Sequence, residues 1–209
     1  ILFTSSIAPY GAAEELKKET TLPTPNTPYG ISKLVAEKIH FGWAGKNDAQ
    51  LIIVRPGIVY GKGEHGNMTR LYAGIRKRYF FYTRKDTIKA CIYVKELVHF
   101  FMWALENGVW NCTFEPAYNI EQICEAMKKA TGMKRVIPTV PGKLLLVVAS
   151  IVGPIGGKVV GIHPARVKKL MISTNINGDK LKNSGYKFHW TLEESFKDWF
   201  KDCNKKYLK

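Results

Sequence analysis

Two short apolar runs, Ile1-Leu2-Phe3-Thr4 and Leu51-Ile52-Ile53-Val54, stand on either side of a segment that reads as a long helix, and this order constrains the fold more than any other feature. Each run has the length of a buried strand and ends in a loop signal. The first opens into Ser5-Ser6-Ile7-Ala8-Pro9-Tyr10-Gly11, the second into Arg55-Pro56-Gly57-Ile58-Val59-Tyr60-Gly61. The helix between them is predicted over about 28–45, with Thr27 as N-cap and Pro28 at the first helical position, where a missing N–H costs nothing. Strand, helix and strand form a βαβ unit, which implies a parallel pair. Open parallel sheets take their ligands in the loops beyond the strand ends.

Downstream, the pattern predicts a basic amphipathic helix at 68–78, a strand at 89–94, a helix at 95–107 and short strands at 109–115 and 135–138. A further helix starts after Asn119, whose side chain can cap the turn while Gln122 reaches back, and ends by Gly132. Helices are expected at 144–152 and 164–172, and a strand at 173–177. The last helix begins at Thr191 with Glu194 three residues on, a capping box, and sets Phe196, Trp199 and Phe200 on one apolar stripe that belongs in the core. The run Tyr79-Phe80-Phe81-Tyr82 could stack on a base but reads more simply as a buried strand. Strands alternating with helices define an α/β chain with a mainly parallel sheet.

The 209 residues, 45% of them hydrophobic, can bury a real core as one domain, or one domain with a small lobe. There are no internal repeats, and the longest apolar stretch, 144–152, is too short to span a bilayer. Cys91, Cys112, Cys124 and Cys203 are far apart and no histidine sits at ligand spacing, which argues for reduced, core-filling thiols, no metal and a cytoplasmic protein. His65 is the one histidine in an expected site loop. The formal net charge is +15. Such an excess suits a nucleic-acid or membrane surface, and equally a solvated face whose acidic counterpart lies elsewhere.

Tyr29 and Lys33 put a phenol and an ammonium one helical turn apart, so the cation can stabilise the phenolate. A tyrosine tuned in that way takes or gives a proton near neutral pH. The pair by itself is common in a lysine-rich chain; its setting between the two strands gives it meaning.

With Thr4-Ser5-Ser6 and Tyr10-Gly11, Pro28-Tyr29-Gly30-x-Ser32-Lys33, and Arg55-Pro56-Gly57-x-Val59-Tyr60-Gly61, the sequence resembles the extended short-chain dehydrogenases/reductases, and within them the nucleotide-sugar epimerases. Gly63-Glu64-His65-Gly66-Asn67, Ile92-Tyr93-Val94-Lys95-Glu96-Leu97, Gly185-Tyr186 and Leu192-Glu193-Glu194-Ser195-Phe196 extend the likeness to the end. The family's Gly-x-x-Gly-x-x-Gly turn, which lets backbone amides approach the cofactor pyrophosphate, does not occur in these 209 residues. The chain therefore reads as the C-terminal part of a longer protein, a fragment expected to be inactive alone.

The resemblance implies a partial Rossmann-type sheet, residues 1–61, 89–107 and 173–177, and a small C-terminal α/β substrate-binding lobe, residues 62–88, 108–172 and 178–209. It implies Ser6, Tyr29 and Lys33 as catalytic residues. NAD or NADP would be bound by Tyr29, Lys33, Pro56, Gly57, Ile58 and Val59. A nucleotide-diphosphate sugar would be held by Ser6, Asn67, Arg70, Arg84 and Lys89. Tyr29 would exchange a proton with a sugar hydroxyl that Ser6 holds. Dehydratases in the family carry an Asp-Glu pair where this chain has Ile7 and Ala8, which favours epimerisation or simple redox chemistry. The alternatives are a reductase of an apolar or steroid-like alcohol, suggested by 144–166, and a non-catalytic basic module. By the same analogy a homodimer would pack through the Tyr29 helix; nucleic acid is not the expected partner.

Overall fold

Strands β1 (Leu2–Thr4) and β2 (Ile52–Pro56) are parallel neighbours, Leu2 opposite Ile52 and Thr4 opposite Val54, with helix α1 (Pro28–Lys46) running between them in sequence. This is the expected βαβ unit, seen in a computed structural model that describes residues 1–12, 14–103, 106–142 and 172–209. The remaining elements are β3 (Ile58–Tyr60), α2 (Asn67–Arg76), β4 (Cys91–Tyr93), α3 (Val94–Met102), β5 (Gly108–Cys112), α4 (Ile120–Thr131), α5 (Asp179–Asn183) and α6 (Leu192–Asp202), with a 3-10 turn at Ala8–Tyr10. β1, β2 and β5 form one parallel sheet in that order, and β3 and β4 a second.

The two sheets share one continuous run of chain, broken at Gly57. Before it β2 pairs with β5; after it β3 pairs with β4, Ile58 opposite Cys91 and Tyr60 opposite Tyr93. At the crossing Gly57 N donates to Cys112 O (3.0 Å) and Ile58 N to Ala90 O (2.9 Å). A β-carbon on Gly57 would lie 2.7 Å from Ala90 O, so only glycine lets the two backbones approach this closely.

Several expectations are corrected. Residues 108–112, assigned from sequence to the substrate lobe, form the third strand of the β1–β2 sheet, because β2 needs a partner on each side to satisfy its backbone. Residues 173–177 contribute only isolated bridges, Thr174 with Lys89 and Ile176 with Lys17. Residues 79–82 and 135–138 are not strands either; Tyr82 bridges Thr139 alone, and Tyr79 is exposed. The helices expected at 144–152 and 164–172 fall almost wholly outside the described residues. Among the described residues no helix is long and apolar enough to cross a membrane.

Helix ends follow the sequence signals closely. Asn119 and Gln122 form the capping box of α4, which closes on Gly132 at φ 68°, and Thr191 and Glu194 form that of α6. These caps fix where two amphipathic helices begin, and α4 and α6 then pack together over the second sheet. Phe196 and Trp199 of α6 are fully buried, and the Phe196 ring stacks on Tyr60 of β3 at 4.8 Å between centroids. The Tyr60 hydroxyl is spent on Ser195 Oγ (2.5 Å), and burial holds the phenol well above its ordinary pKa. Cys91, Cys112 and Cys124 are buried and free, the Cys91 thiol pushed up to about 12 by burial. Cys203, also free, is partly buried and packs against the edge of the same core.

Phe196→Ala removes the ring that fills the space between β3 and α6. It is expected to cost about 3–5 kcal/mol of stability, read as a lowered urea midpoint; a loss within the noise of a surface substitution would show that α6 does not carry this core.

Candidate functional site

Tyr29, Lys33 and Glu37 succeed one another at helical spacing along one side of α1, and what each touches defines the site. Thr27 caps the helix by accepting from Gly30 N (3.0 Å). Gly30 presses against the 3-10 turn: a β-carbon there would meet Ala8 O at 2.6 Å. The first turn of α1 is thereby seated on the loop that follows β1. Lys33 Nζ donates to Thr4 O at 3.1 Å and lies 5.9 Å from the centroid of the Tyr29 ring. Tyr29 is 56% exposed, its phenol open to solvent beside this loop.

Ser6 is half-buried two residues beyond Thr4, its Oγ accepting from Ala8 N (3.2 Å). The loop is tied to β2, since Ser5 N donates to Val54 O (2.7 Å) and Ile7 N to Pro56 O (3.2 Å). Ser6 thus follows the carboxyl end of β1 and Gly57 that of β2, while Lys33 reaches Thr4 O from the helix whose first turn carries Tyr29. Ile58 and Val59 follow Gly57 directly, both partly buried.

Beneath this group lies an ion pair that sequence reasoning missed. Glu37 and Arg55 are 1% and 3% exposed, and Arg55 Nε and Nη2 donate to the two Glu37 carboxylate oxygens at 2.9 and 2.5 Å. Ser5 Oγ donates to the same carboxylate (2.5 Å). The Arg55 guanidinium also lies 4.6 Å from the Tyr10 ring centroid. Tyr10 OH in turn donates to Asn111 Oδ1 of β5 (2.8 Å). Burial opposes the charge on Arg55, but its bonds to Glu37 and its attraction to Tyr10 more than offset this and raise its pKa. Burial likewise raises the Tyr10 phenol, with Arg55 opposing. The available signal was an arginine inside an otherwise apolar strand and a glutamate one turn beyond Lys33.

The expected substrate-binding residues divide into two groups. Asn67 and Arg70 are exposed in the first turn of α2, as is His65 before it. Arg84 is ion-paired with Glu14 (2.9 Å) and Asp86 (3.1 Å). Lys89 is buried, and its Nζ donates to Ile172 O (2.6 Å). Burial pushes the Lys89 ammonium down to about 8, with Glu14 opposing and Arg84 reinforcing, which places Arg84, Glu14 and Lys89 in one electrostatic neighbourhood.

A parallel strand–helix–strand unit with its loops at the strand ends is the frame on which open α/β sheets bind ligands. The model of the NAD dependent epimerase/dehydratase family matches residues 1–120. The chain belongs to this family. A curated relative, the N-acetyl-alpha-D-glucosaminyl-diphospho-ditrans,octacis-undecaprenol 4-epimerase of Escherichia coli O157:H7, is 29% identical over 205 residues, covering 93% of this chain and 62% of its own. The UDP-glucose 4-epimerase of Thermotoga maritima, solved with UDP-glucose, superposes with a TM-score of 0.67 at 19% identity, over 97% of this chain and 63% of its own. A UDP-glucuronic acid 4-epimerase of Bacillus cereus, solved with NAD, gives 0.67 at 15% identity, over 96% and 58%. A further neighbour holds NADPH. The chain thus spans about three fifths of the length of the relatives it matches.

Two outcomes follow from this geometry. Glu37→Ala strands Arg55 as a buried, uncompensated charge and is expected to destabilise the protein by about 3–5 kcal/mol, measured by urea denaturation. The second concerns Lys89, whose depressed folded-state pKa makes the unfolded chain bind more protons between about pH 8 and the ordinary lysine value of 10.5. The penalty for burying the ammonium is complete below that window and relieved as pH rises through it. Wild type is therefore expected to gain stability relative to Lys89→Met from about pH 8 upward; a difference that stays flat with pH would contradict this.

Proposed function

We propose that this chain carries the catalytic face of an epimerase or oxidoreductase acting on a sugar joined to a diphosphate, through Ser6, Tyr29 and Lys33. The observation that carries the reading is the anchoring of Lys33 on Thr4 O, which sets the ammonium next to Tyr29 at the mouth of the Ser6 loop. The residues present suit the nicotinamide side of a dinucleotide. Lys33 has two N–H donors left after Thr4, and the backbone of Pro56 to Val59 runs along the strand end. Bound there, the nicotinamide would supply a hydride acceptor and donor. No glycine-rich pyrophosphate turn occurs in these residues, so the adenine side would be held by other polypeptide, and the 209 residues alone would not turn over.

In the proposed step the Tyr29 phenolate would take the proton of a sugar hydroxyl while the C–H bond on the carbon bearing it breaks and its hydride goes to the acceptor the nicotinamide would supply, giving a ketone. Ser6 Oγ donates to the reacting oxygen, and Lys33 stabilises the phenolate by charge. Returning hydride and proton restores the alcohol, inverted if hydride returns to the other face. Ile7 and Ala8 supply no acid or base for loss of water, so dehydration is not part of the reading. Asn67 and Arg70 would face the diphosphate, with Arg84 and Lys89 behind. The two-lobe division stands as part of this proposal, with 108–112 moved to the cofactor side.

The carrier on the diphosphate could be a nucleotide, as in the Thermotoga maritima enzyme, or a polyprenol, as named for the Escherichia coli relative. The latter is favoured by the greater sequence identity. A homodimer through α1 belongs to the same reading, since Ile31, Val35 and Ile39 leave an exposed apolar stripe along that helix.

In the complete enzyme, Tyr29→Phe and Lys33→Met are each expected to lower turnover by about 10²- to 10⁴-fold with unchanged circular dichroism. Wild-type activity in Tyr29→Phe would refute the assignment.

A further inference from the structure

We infer that the surface built from the C-terminal end of α2 and the last residues of the chain docks this protein onto an anionic lipid bilayer. Arg76 ends α2 and Lys77 and Arg78 follow it; all three are exposed, as are Lys205, Lys206 and Lys209. The two groups meet around Tyr207: the Arg76 guanidinium lies 5.7 Å and Lys209 Nζ 5.8 Å from its ring centroid. The tail is fixed in place, because Leu208 is buried and Gly63 N donates to Lys209 O (3.0 Å). The cations are therefore held together by the fold.

What marks these six is their concentration at one place with no carboxylate side chain among them, whereas several other surface lysines are neutralised by a neighbour. Lys85, Lys95, Lys128 and Lys197 each meet a carboxylate within 2.6 to 2.8 Å. None of the six makes such an ion pair among the described residues. A cluster of four to eight uncompensated basic residues attracts the negative surface potential of a membrane, within about a Debye length. Tyr207 and Tyr79, both exposed, have the amphipathic rings that settle at a lipid–water boundary. Nucleic acid fits less well, since the Tyr207 ring already carries two cations and offers no bare platform for a base.

The choice of lipid rests on the polyprenyl-diphosphate form of the proposed substrate, which places the sugar at a bilayer surface. A peripheral enzyme held there by charge would meet a substrate that cannot diffuse to it through water.

Co-flotation with vesicles tests this on the 209-residue chain without any need for turnover. Binding is expected to phosphatidylcholine vesicles containing about one quarter phosphatidylglycerol and not to phosphatidylcholine alone, and to be lost between about 50 mM and about 500 mM salt. The triple variant Arg76→Glu, Lys77→Glu, Lys206→Glu should weaken binding by about tenfold or more. Lys18→Glu, Lys46→Glu, Lys134→Glu, with the same net charge, should retain it. Absence of flotation, equal weakening by both triples, or retention of duplex DNA in preference to vesicles would each overturn the proposal. Tyr29→Phe should float like wild type, so failure of the redox reading and failure of the docking surface are told apart.

Discussion

The candidate site is organised around one buried ion pair, Glu37 with Arg55. Arg55 belongs to β2, Glu37 to α1, and Ser5 at the end of β1 bonds to the same carboxylate. Three elements distant in sequence are thereby fixed in rotation and height relative to one another. A helix free to roll on a sheet by one residue would swing Lys33 off Thr4 O and carry Tyr29 with it. Apolar packing alone tolerates such shifts, whereas a two-pronged guanidinium–carboxylate contact does not. Burying the charges is costly, and the return is geometric definition at the one place where the proposed chemistry demands it.

The site stands at the open end of the sheet for a related reason. Parallel strands end together, and the loops that leave them must satisfy their own backbone groups. Here Ser5 N and Ile7 N do so on the β2 strand, which draws the Ser6 loop along its neighbour. Gly30 lets α1 close on that loop from the other side. These backbone contacts, with the Lys33 Nζ bond to Thr4 O, seat the first turn of α1 on the loop that follows β1.

Much of this was legible in the sequence. Thr27-Pro28, Asn119 with Gln122, and Thr191 with Glu194 are local devices, complete within four residues, and each starts a helix where expected. The βαβ order followed from apolar runs and loop signals. What local pattern could not supply was partnership. Residues 108–112 read as a strand but not as the neighbour of β2, because the choice between sheets is made by contacts more than fifty residues away. Residues 173–177 have strand-like composition, yet meet only single partners at Lys17 and Lys89. Arg55, read from sequence as the start of a loop, lies in β2 itself, because its counter-ion on α1 lets a guanidinium be buried there. The family resemblance was carried by the motifs around Tyr29 and is matched by the family model over 1–120.

The crossing at Gly57 has an architectural consequence. One stretch of polypeptide serves as a rail for both sheets, so displacing the second sheet along its strand direction drags on the first. The clearance at Ala90 is set by backbone atoms, which leaves no soft side chain to take up the slack. A chimera that exchanged the polypeptide after Gly57 for that of a relative would therefore fare badly if spliced here. Its natural seam lies beyond Tyr60, where the chain has left both ladders.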